Sequence, residues 1–129
     1  MIYDLAVTVP QDTPATAPIT EALPVYPGVV TGVSVLFPAG CAGLAHLQVW
    51  SAIHQVWPSN PGASFASDGE TISWSEEYQV PGPPHELTIK AWNLDDTYPH
   101  TITIRIVVIP HKRLTPSGVV DYLRSRLMS

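Results

Sequence analysis

Basic residues are missing from most of this sequence, since the first 89 positions contain neither lysine nor arginine. The same stretch carries eight acidic residues and a formal charge of −8, whereas the six basic and three acidic residues from Lys90 onward sum to +3. This uneven distribution of charge bears on which partners the protein binds rather than on its fold. It indicates a protein that docks by its ends, and the net charge of −5 argues against broad nucleic-acid binding.

Three further features are scarce or absent. Cys41 is the only cysteine, which excludes an intramolecular disulfide. Only 13% of the residues are charged, about half the usual share. No apolar run approaches the ~20 residues that span a bilayer, and the N-terminus has no basic region and is broken at Pro10, which is unlike a signal peptide. We therefore expect no membrane partner, and a location in a virion if the protein is viral or otherwise in the cytoplasm.

The residues that are present alternate between apolar and polar, which predicts a series of β-strands. The alternation is clear over residues 1–9 and 29–37, and shorter over 71–74. Residues 44–57 are rich in β-favouring Trp, Val and Ile and favour one long strand ended by a proline, although apolar residues spaced by three also permit a helix.

Residues 87–110 predict an antiparallel hairpin with one strongly apolar face. Apolar residues alternate on both sides of a central segment that is rich in turn formers, Asn93 to His100. We expect the Asn and Asp side chains of that segment to shape the loop and His100 to cap the returning strand.

Prolines recur every fourth residue at Pro10, Pro14 and Pro18. Because proline fixes φ and lacks a backbone donor, this spacing excludes a helix or a central strand. We therefore expect residues 10–28 to form an extended, polyproline-like arm that lies against its own domain or a neighbour.

The period changes near the C-terminus, where a helix is predicted over residues 115–128. Thr115 is a good N-cap, and Pro116 occupies the first helical position. Arg124 and Arg126 fall in the last turn, where they complement the helix dipole. Such a short helix is marginal alone and must pack on something. Its apolar residues recur every fourth position: Val119, Leu123 and Leu127.

Short strands with Gly- and Pro-rich turns, followed by one helix, predict an all-β fold, an antiparallel β-sandwich or jelly roll. We expect a single domain over residues 1–129. It would comprise the arm at 10–28, the sandwich core at 29–110 and the terminal helix at 115–128.

Metal and catalytic motifs are poorly supported. His46 and His54, with Glu70, invite a cupin-like metal site, but two histidines eight residues apart on a straight strand lie about 26 Å from each other. There is no G-x-S-x-G motif or phosphate-binding glycine motif, and Cys41 lacks a recognisable partner pattern. We predict no catalytic residue, no metal and no cofactor, with a small cupin-like metal enzyme as the second alternative.

The aromatic residues allow two interpretations. Four tryptophans lie on or beside predicted strands, and if they were exposed on one sheet face they would stack on sugar rings. Trp and Tyr are also common in cores and in subunit contacts, which is the interpretation we favour. These tryptophans are Trp50, Trp57, Trp74 and Trp92.

The chain resembles the small β-sandwich structural proteins of tailed-phage virions, of the head-decoration type. The resemblance lies in its size, sandwich pattern, lone cysteine, low charge and Pro-rich N-terminal segment. It implies a homo-oligomer that binds another structural protein, such as a major capsid protein, without direct contact to nucleic acid. We predict a structural assembly protein, a capsid-decoration or head/neck component of a virion, with a carbohydrate-binding module and hence a glycan partner as the alternative.

The predicted assembly contacts lie in the arm, in the basic tail and on one aromatic side chain. They are Pro10, Pro14, Pro18, Lys112, Arg113, Arg124, Arg126 and Trp57.

Overall fold

A computed structural model of the chain describes residues 1–110, and within that range all regular structure is β. The strands form two four-stranded antiparallel sheets, sheet A in the order β1-β8-β3-β6 and sheet B in the order β2-β7-β4-β5. Their bounds are β1 Ile2–Val9, β2 Ile19–Pro24, β3 Gly28–Phe37, β4 Ala45–Ser51, β5 His54–Trp57, β6 Glu70–Gln79, β7 Glu86–Asn93 and β8 His100–Pro110.

The strand pairing is nested along the chain. β1 pairs with β8, β2 with β7, β3 with β6 and β4 with β5. This is the pairing of one long antiparallel hairpin that has been rolled up, and further pairing of β3 with β8 and of β4 with β7 completes the two sheets. The order is that of an eight-stranded jelly roll, so the predicted all-β antiparallel sandwich is confirmed.

The core lies between the two sheets and is built from alternate residues of each strand. β8 shows the pattern most clearly, since every second residue from His100 to Pro110 is buried. Removing each such aliphatic side chain from water contributes roughly 1.5–3 kcal/mol. The largest fully buried side chains are Phe37, Leu47, Leu87, Ile89, Ile102, Ile104 and Ile106.

The predicted hairpin over residues 87–110 is wrong, because β7 and β8 belong to different sheets. Both strands contribute buried side chains to the same core, but they do not pair through backbone hydrogen bonds. Alternation identifies the face of a strand that is buried, and it does not tell whether the next strand in sequence lies beside it or opposite it.

The predicted single strand over residues 44–57 is also divided in two. Ala52 and Ile53 form a turn between β4 and β5, and Ala52 has a positive φ of 51°. Alanine rarely adopts this conformation, so the sequence offered no turn signal at that position. The sheet pairing of both halves excludes the helix that the apolar spacing also permitted.

No separate Pro-rich arm is present, which corrects the prediction for residues 10–28. Thr13 exchanges two backbone hydrogen bonds with Asn93, of 2.9 and 3.0 Å, and β2 then pairs with β7 along its whole length. The prolines excluded a central strand correctly, but β2 is an edge strand. An edge strand tolerates missing backbone donors on its free side.

The predicted terminal helix over residues 115–128 lies outside the described residues. The four basic residues predicted as tail contacts lie outside them too: Lys112, Arg113, Arg124 and Arg126.

Candidate functional site

The outward side of sheet A is an exposed surface, which we call the outer face. Because side chains alternate along a strand, every second residue of β1, β8, β3 and β6 points to it. Its charged members are Asp4, Arg105 and Glu77, and seven of the others carry hydroxyl groups. The hydroxyl residues are Thr8, Ser34, Thr71, Ser73, Ser75, Thr101 and Thr103.

Two of the charged residues on the outer face neutralise each other. The Arg105 Nε donates to Asp4 Oδ1 at 2.7 Å, and Nη2 donates to Oδ2 at 3.2 Å, across the β1–β8 ladder. This bidentate hydrogen bonding by the Arg105 guanidinium lowers the pKa of Asp4 below its ordinary value. The pair therefore leaves little net charge in the middle of the face.

A shallow groove crosses the outer face where Gly32 lacks a side chain. It has a volume of about 330 Å³, and its lining includes Gly32, Ser34, Ser75 and Val107. A smaller depression of about 120 Å³ lies between Leu36 and Arg105. Neither presents a convergent set of reactive groups, so the face is better shaped for contact with a surface than for holding a small molecule.

The four sheet edges differ in how they are protected against pairing with another chain. β5 has only four residues, and β2 follows Pro18 and ends at Pro24. β6 carries Glu70, Glu76 and Glu77, and its register with β3 shifts at a bulge. Short strands, prolines, charges and bulges each oppose the pairing of a free edge with another chain.

β1 carries none of these devices. Its eight residues lack lysine, proline and glycine, its register with β8 is continuous, and its one charge, Asp4, is paired with Arg105. Within residues 1–110, β1 pairs only with β8, so the backbone groups of its other edge have no strand beside them. The alternation of apolar and polar residues over residues 1–9 did not reveal that this strand lies at an edge.

The residues predicted as contacts occupy very different places. Pro10 and Pro14 are exposed and Pro18 is half-buried in the loop before β2. The carbonyl of Pro10 accepts from Thr13 Oγ1 at 2.7 Å, which helps fix this loop on its own domain. Trp57 is 3% exposed and packs in the core, so its side chain offers no surface to a neighbour.

A buried polar network holds the crossover from β7 to β8. Asn93 is 0% exposed, and its side-chain amide donates to the carbonyls of Val9 and Tyr98 and accepts from the backbone of Asp95. Asp95 in turn binds His100 Nε2 at 2.9 Å. The expectation that Asn and Asp side chains shape this loop is confirmed.

The electrostatics of Asp95 follow from these hydrogen bonds. The backbone N–H of Thr97 and the ring of His100 favour the carboxylate, so the pKa of Asp95 lies below its ordinary value. Its oxygen atoms are committed to the loop, which gives the pair a structural rather than a catalytic geometry.

The tryptophans are engaged in packing rather than presented to solvent. Trp57 and Trp74 meet edge to face at 5.9 Å between ring centroids, and both indole N–H groups donate to Glu76 Oε1. Trp50 lies on the outward side of sheet B, where Lys90 Nζ covers its ring at 3.8 Å. A sugar-stacking platform needs an open ring face, so these positions do not favour carbohydrate binding.

The histidines considered for metal binding are not brought together with Glu70. His46 stacks on Trp92 at 5.2 Å and its Nδ1 is 2.8 Å from Ser64 Oγ, while burial lowers its pKa. His54 is exposed on β5. Among residues 1–110, no group of three or more His, Cys, Asp or Glu side chains is placed to hold a metal ion.

Comparison with known proteins adds only a distant likeness of fold. No protein-family model and no curated protein matches the sequence. The crystal structure of PirA matches with 16% identity and a TM-score of 0.44, over 81% of this chain and 94% of PirA. The crystal structure of FLHE matches with 14% identity and a TM-score of 0.36, over 82% of this chain and 94% of FLHE.

A third similar structure comes from Bacillus endospore appendages, which form disulfide-linked pili. Its identity is 13% and its TM-score 0.30, over 84% of this chain and 89% of the pilus chain. TM-scores this low carry no argument about function. In the described part of the chain, no helix has the length and apolar character required to cross a membrane.

Proposed function

We propose that the protein is a structural subunit that assembles with further copies of itself through the free edge of β1. The observation that carries the proposal is the contrast among the four edges, since β1 alone lacks the features that oppose pairing. Antiparallel pairing of β1 with β1 of a second copy would join two A sheets into one continuous sheet about a twofold axis.

The low charge of the outer face supports this assembly. Joining two A sheets brings two outer faces side by side, and each contributes an Asp4–Arg105 pair whose charges largely cancel. Like charges across a strand pair are destabilising. The β1 edge avoids that cost because its acidic residue is already paired within its own subunit.

A non-catalytic role agrees with how the reactive side chains of residues 1–110 are used. Asp95 and His100 fix a loop, His46 is stacked on Trp92, and Cys41 is buried. The finer proposal, a capsid-decoration or head/neck component of a virion that also binds another structural protein, rests on the sequence resemblance alone.

The test compares two exposed alanines on two edge strands. Ala6 lies on β1 and Ala22 on β2, and both point outward. We expect the wild-type protein to exceed its monomer mass of 14.0 kDa in multi-angle light scattering, and Ala6→Lys to reduce it to a monomer. Ala22→Lys is the matched control and should keep the wild-type mass.

Two outcomes would contradict the proposal. A wild-type protein that is monomeric at high concentration would exclude assembly through β1. An oligomer that persists in Ala6→Lys, or dissociates equally in Ala22→Lys, would show that the contact lies elsewhere.

A further inference from the structure

We propose that two copies joined through β1 pair in one register, in which Leu5 of one copy lies opposite Leu5 of the other on the twofold axis. This inference rests on the proposed function and deepens it, because it specifies which residue of the second copy each residue of β1 meets. The direction of the backbone groups, the charges and the burial of side chains along β1 each bear on that register.

The backbone groups at the free edge of β1 belong to every second residue. The Met1 amino group donates to the Val108 carbonyl, and the Met1 carbonyl accepts from the Val108 N–H, so these two residues form a hydrogen-bonded pair of the ladder between β1 and β8. In an antiparallel ladder such pairs alternate with pairs whose N–H and C=O groups point away from the partner strand. The residues that direct these groups to the free edge are therefore Ile2, Asp4, Ala6 and Thr8.

Only one twofold register uses all four of these residues on both copies. With Leu5 on the axis, Ile2 of each copy meets Thr8 of the other. Asp4 of each copy likewise meets Ala6 of the other, and the four pairs exchange about eight backbone hydrogen bonds. An axis at Asp4 or at Ala6 leaves one residue of each edge unpaired and lowers the number to about six. Hydrogen bonding therefore favours the axis at Leu5.

Charge disfavours one of the shifted registers and agrees with the central one. An axis at Asp4 would place two Asp4 side chains directly opposite each other, and like charges so placed are destabilising. With the axis at Leu5, Asp4 faces the small side chain of Ala6, which leaves its hydrogen bonds to Arg105 undisturbed. The substitution Ala6→Lys would add an ammonium group beside a carboxylate that Arg105 already neutralises, so it still opposes assembly.

The same register covers apolar side chains that β1 leaves partly exposed. Tyr3 and Leu5 are half-buried against the core, whereas Val7 and Val9 further along the strand are buried. The residues on the axis form a non-hydrogen-bonded pair, whose Cα atoms lie about 4.5 Å apart and whose side chains touch. Leu5 would therefore cover Leu5 of the second copy, and Tyr3 would lie beside Val7, which buries apolar surface on both copies.

Disulfide cross-linking tests the register because a single cysteine can bridge to its own counterpart only on the axis. Cysteines form a disulfide when their Cα atoms are about 4.4–6.8 Å apart, and a shift of two residues along a strand exceeds this range. We expect Leu5→Cys, oxidised with diamide, to run at twice the 14.0 kDa monomer mass in non-reducing electrophoresis. The wild-type protein is the blank, because its only cysteine, Cys41, is buried.

Two exposed positions provide an independent test that leaves the half-buried Leu5 in place. Asp4→Cys and Ala6→Cys, each oxidised alone, should cross-link at least about tenfold more slowly than Leu5→Cys. Asp4→Cys co-expressed with Ala6→Cys should cross-link rapidly, because the proposed register places the two positions opposite each other with Cα atoms about 5.5 Å apart. All samples are compared at the same protein and diamide concentrations.

The outcomes separate this inference from the proposed function. Cross-linking of Asp4→Cys alone, or of Ala6→Cys alone, would assign the axis to that residue and overturn the register, while assembly through β1 would stand. An oligomer that Ala6→Lys dissociates, but in which neither Leu5→Cys nor the co-expressed pair cross-links, would overturn the register in the same way. A monomeric wild-type protein would overturn both proposals.

Discussion

At the scale of single residues, Asn93 determines how the chain passes from one sheet to the other. Its backbone pairs with Thr13, and its side chain bonds Val9, Asp95 and Tyr98. A single buried amide thus ties the end of β7 to the end of β1 and to the crossover. Aspartate could not substitute fully, because it lacks the two N–H donors that satisfy the carbonyls.

We expect Asn93→Ala to lower the free energy of unfolding by about 2–4 kcal/mol, because the buried polar partners of the side chain would be left unsatisfied. Urea denaturation followed by tryptophan fluorescence measures the change. Asn60→Ala is the control, since Asn60 is exposed in the loop after β5. A loss below about 1 kcal/mol in Asn93→Ala would mean that the network contributes little.

At the scale of strands, two glycines in β3 differ in the space available for a side chain. A Cβ atom at Gly28 would lie 2.2 Å from the carbonyl oxygen of Ile109, so β3 and β8 could not keep their spacing there. A Cβ atom at Gly32 would meet nothing closer than Val107 at 3.8 Å. The first glycine is needed for the close approach of two strands, and the second leaves the groove.

We expect Gly28→Ala to cost about 1–3 kcal/mol of stability through overpacking. Gly32→Ala should be neutral or stabilising by up to about 1 kcal/mol, because alanine restricts the unfolded chain. Thermal unfolding of the two variants beside the wild-type protein tests the pair. Equal effects of the two substitutions would contradict this interpretation of β3.

At the same scale, the sequence predicted which face of a strand is buried, but it did not predict which strands pair. The buried faces of β1, β3, β7 and β8 follow from alternation, because a half-buried strand has a period of two. Their assignment to sheets does not follow, since it depends on contacts between residues as distant as Ile2 and Val107. Ala52 shows a second limit, because a positive φ at an alanine is imposed by the surrounding structure.

The candidate site was predictable only in part for a related reason. The low charge and the apolar strands were visible in the sequence, whereas an edge or an outer face exists only once the order of strands in a sheet is known. Trp57 illustrates the difference, because a tryptophan suits a subunit contact and a core equally well until its burial is known.

At the scale of the whole molecule, Cys41 provides an internal probe of the sandwich. The thiol is 0% exposed, and burial together with the nearby carboxylates of Asp68 and Asp95 raises its pKa. Both effects suppress the reactive thiolate. Reaction of this thiol therefore requires the structure around it to open.

We expect Cys41 to react with Ellman's reagent at least about a hundredfold more slowly in native buffer than in denaturant. The reaction rate measured across a urea series should rise together with the unfolding transition seen by fluorescence. Rapid reaction in native buffer would show that the region around Cys41 opens without global unfolding.

The nested pairing of the strands has a consequence for synthesis of the chain. β4 and β5 can pair as soon as they leave the ribosome, but β1 must wait until β8 has been made, nearly the whole described chain later. Pairing between strands so far apart in sequence closes late, because it has the largest entropy of loop closure to overcome. Among the described strands, β1 has no strand beside its outer edge, and it is thus also the strand that a nascent chain carries longest without a partner.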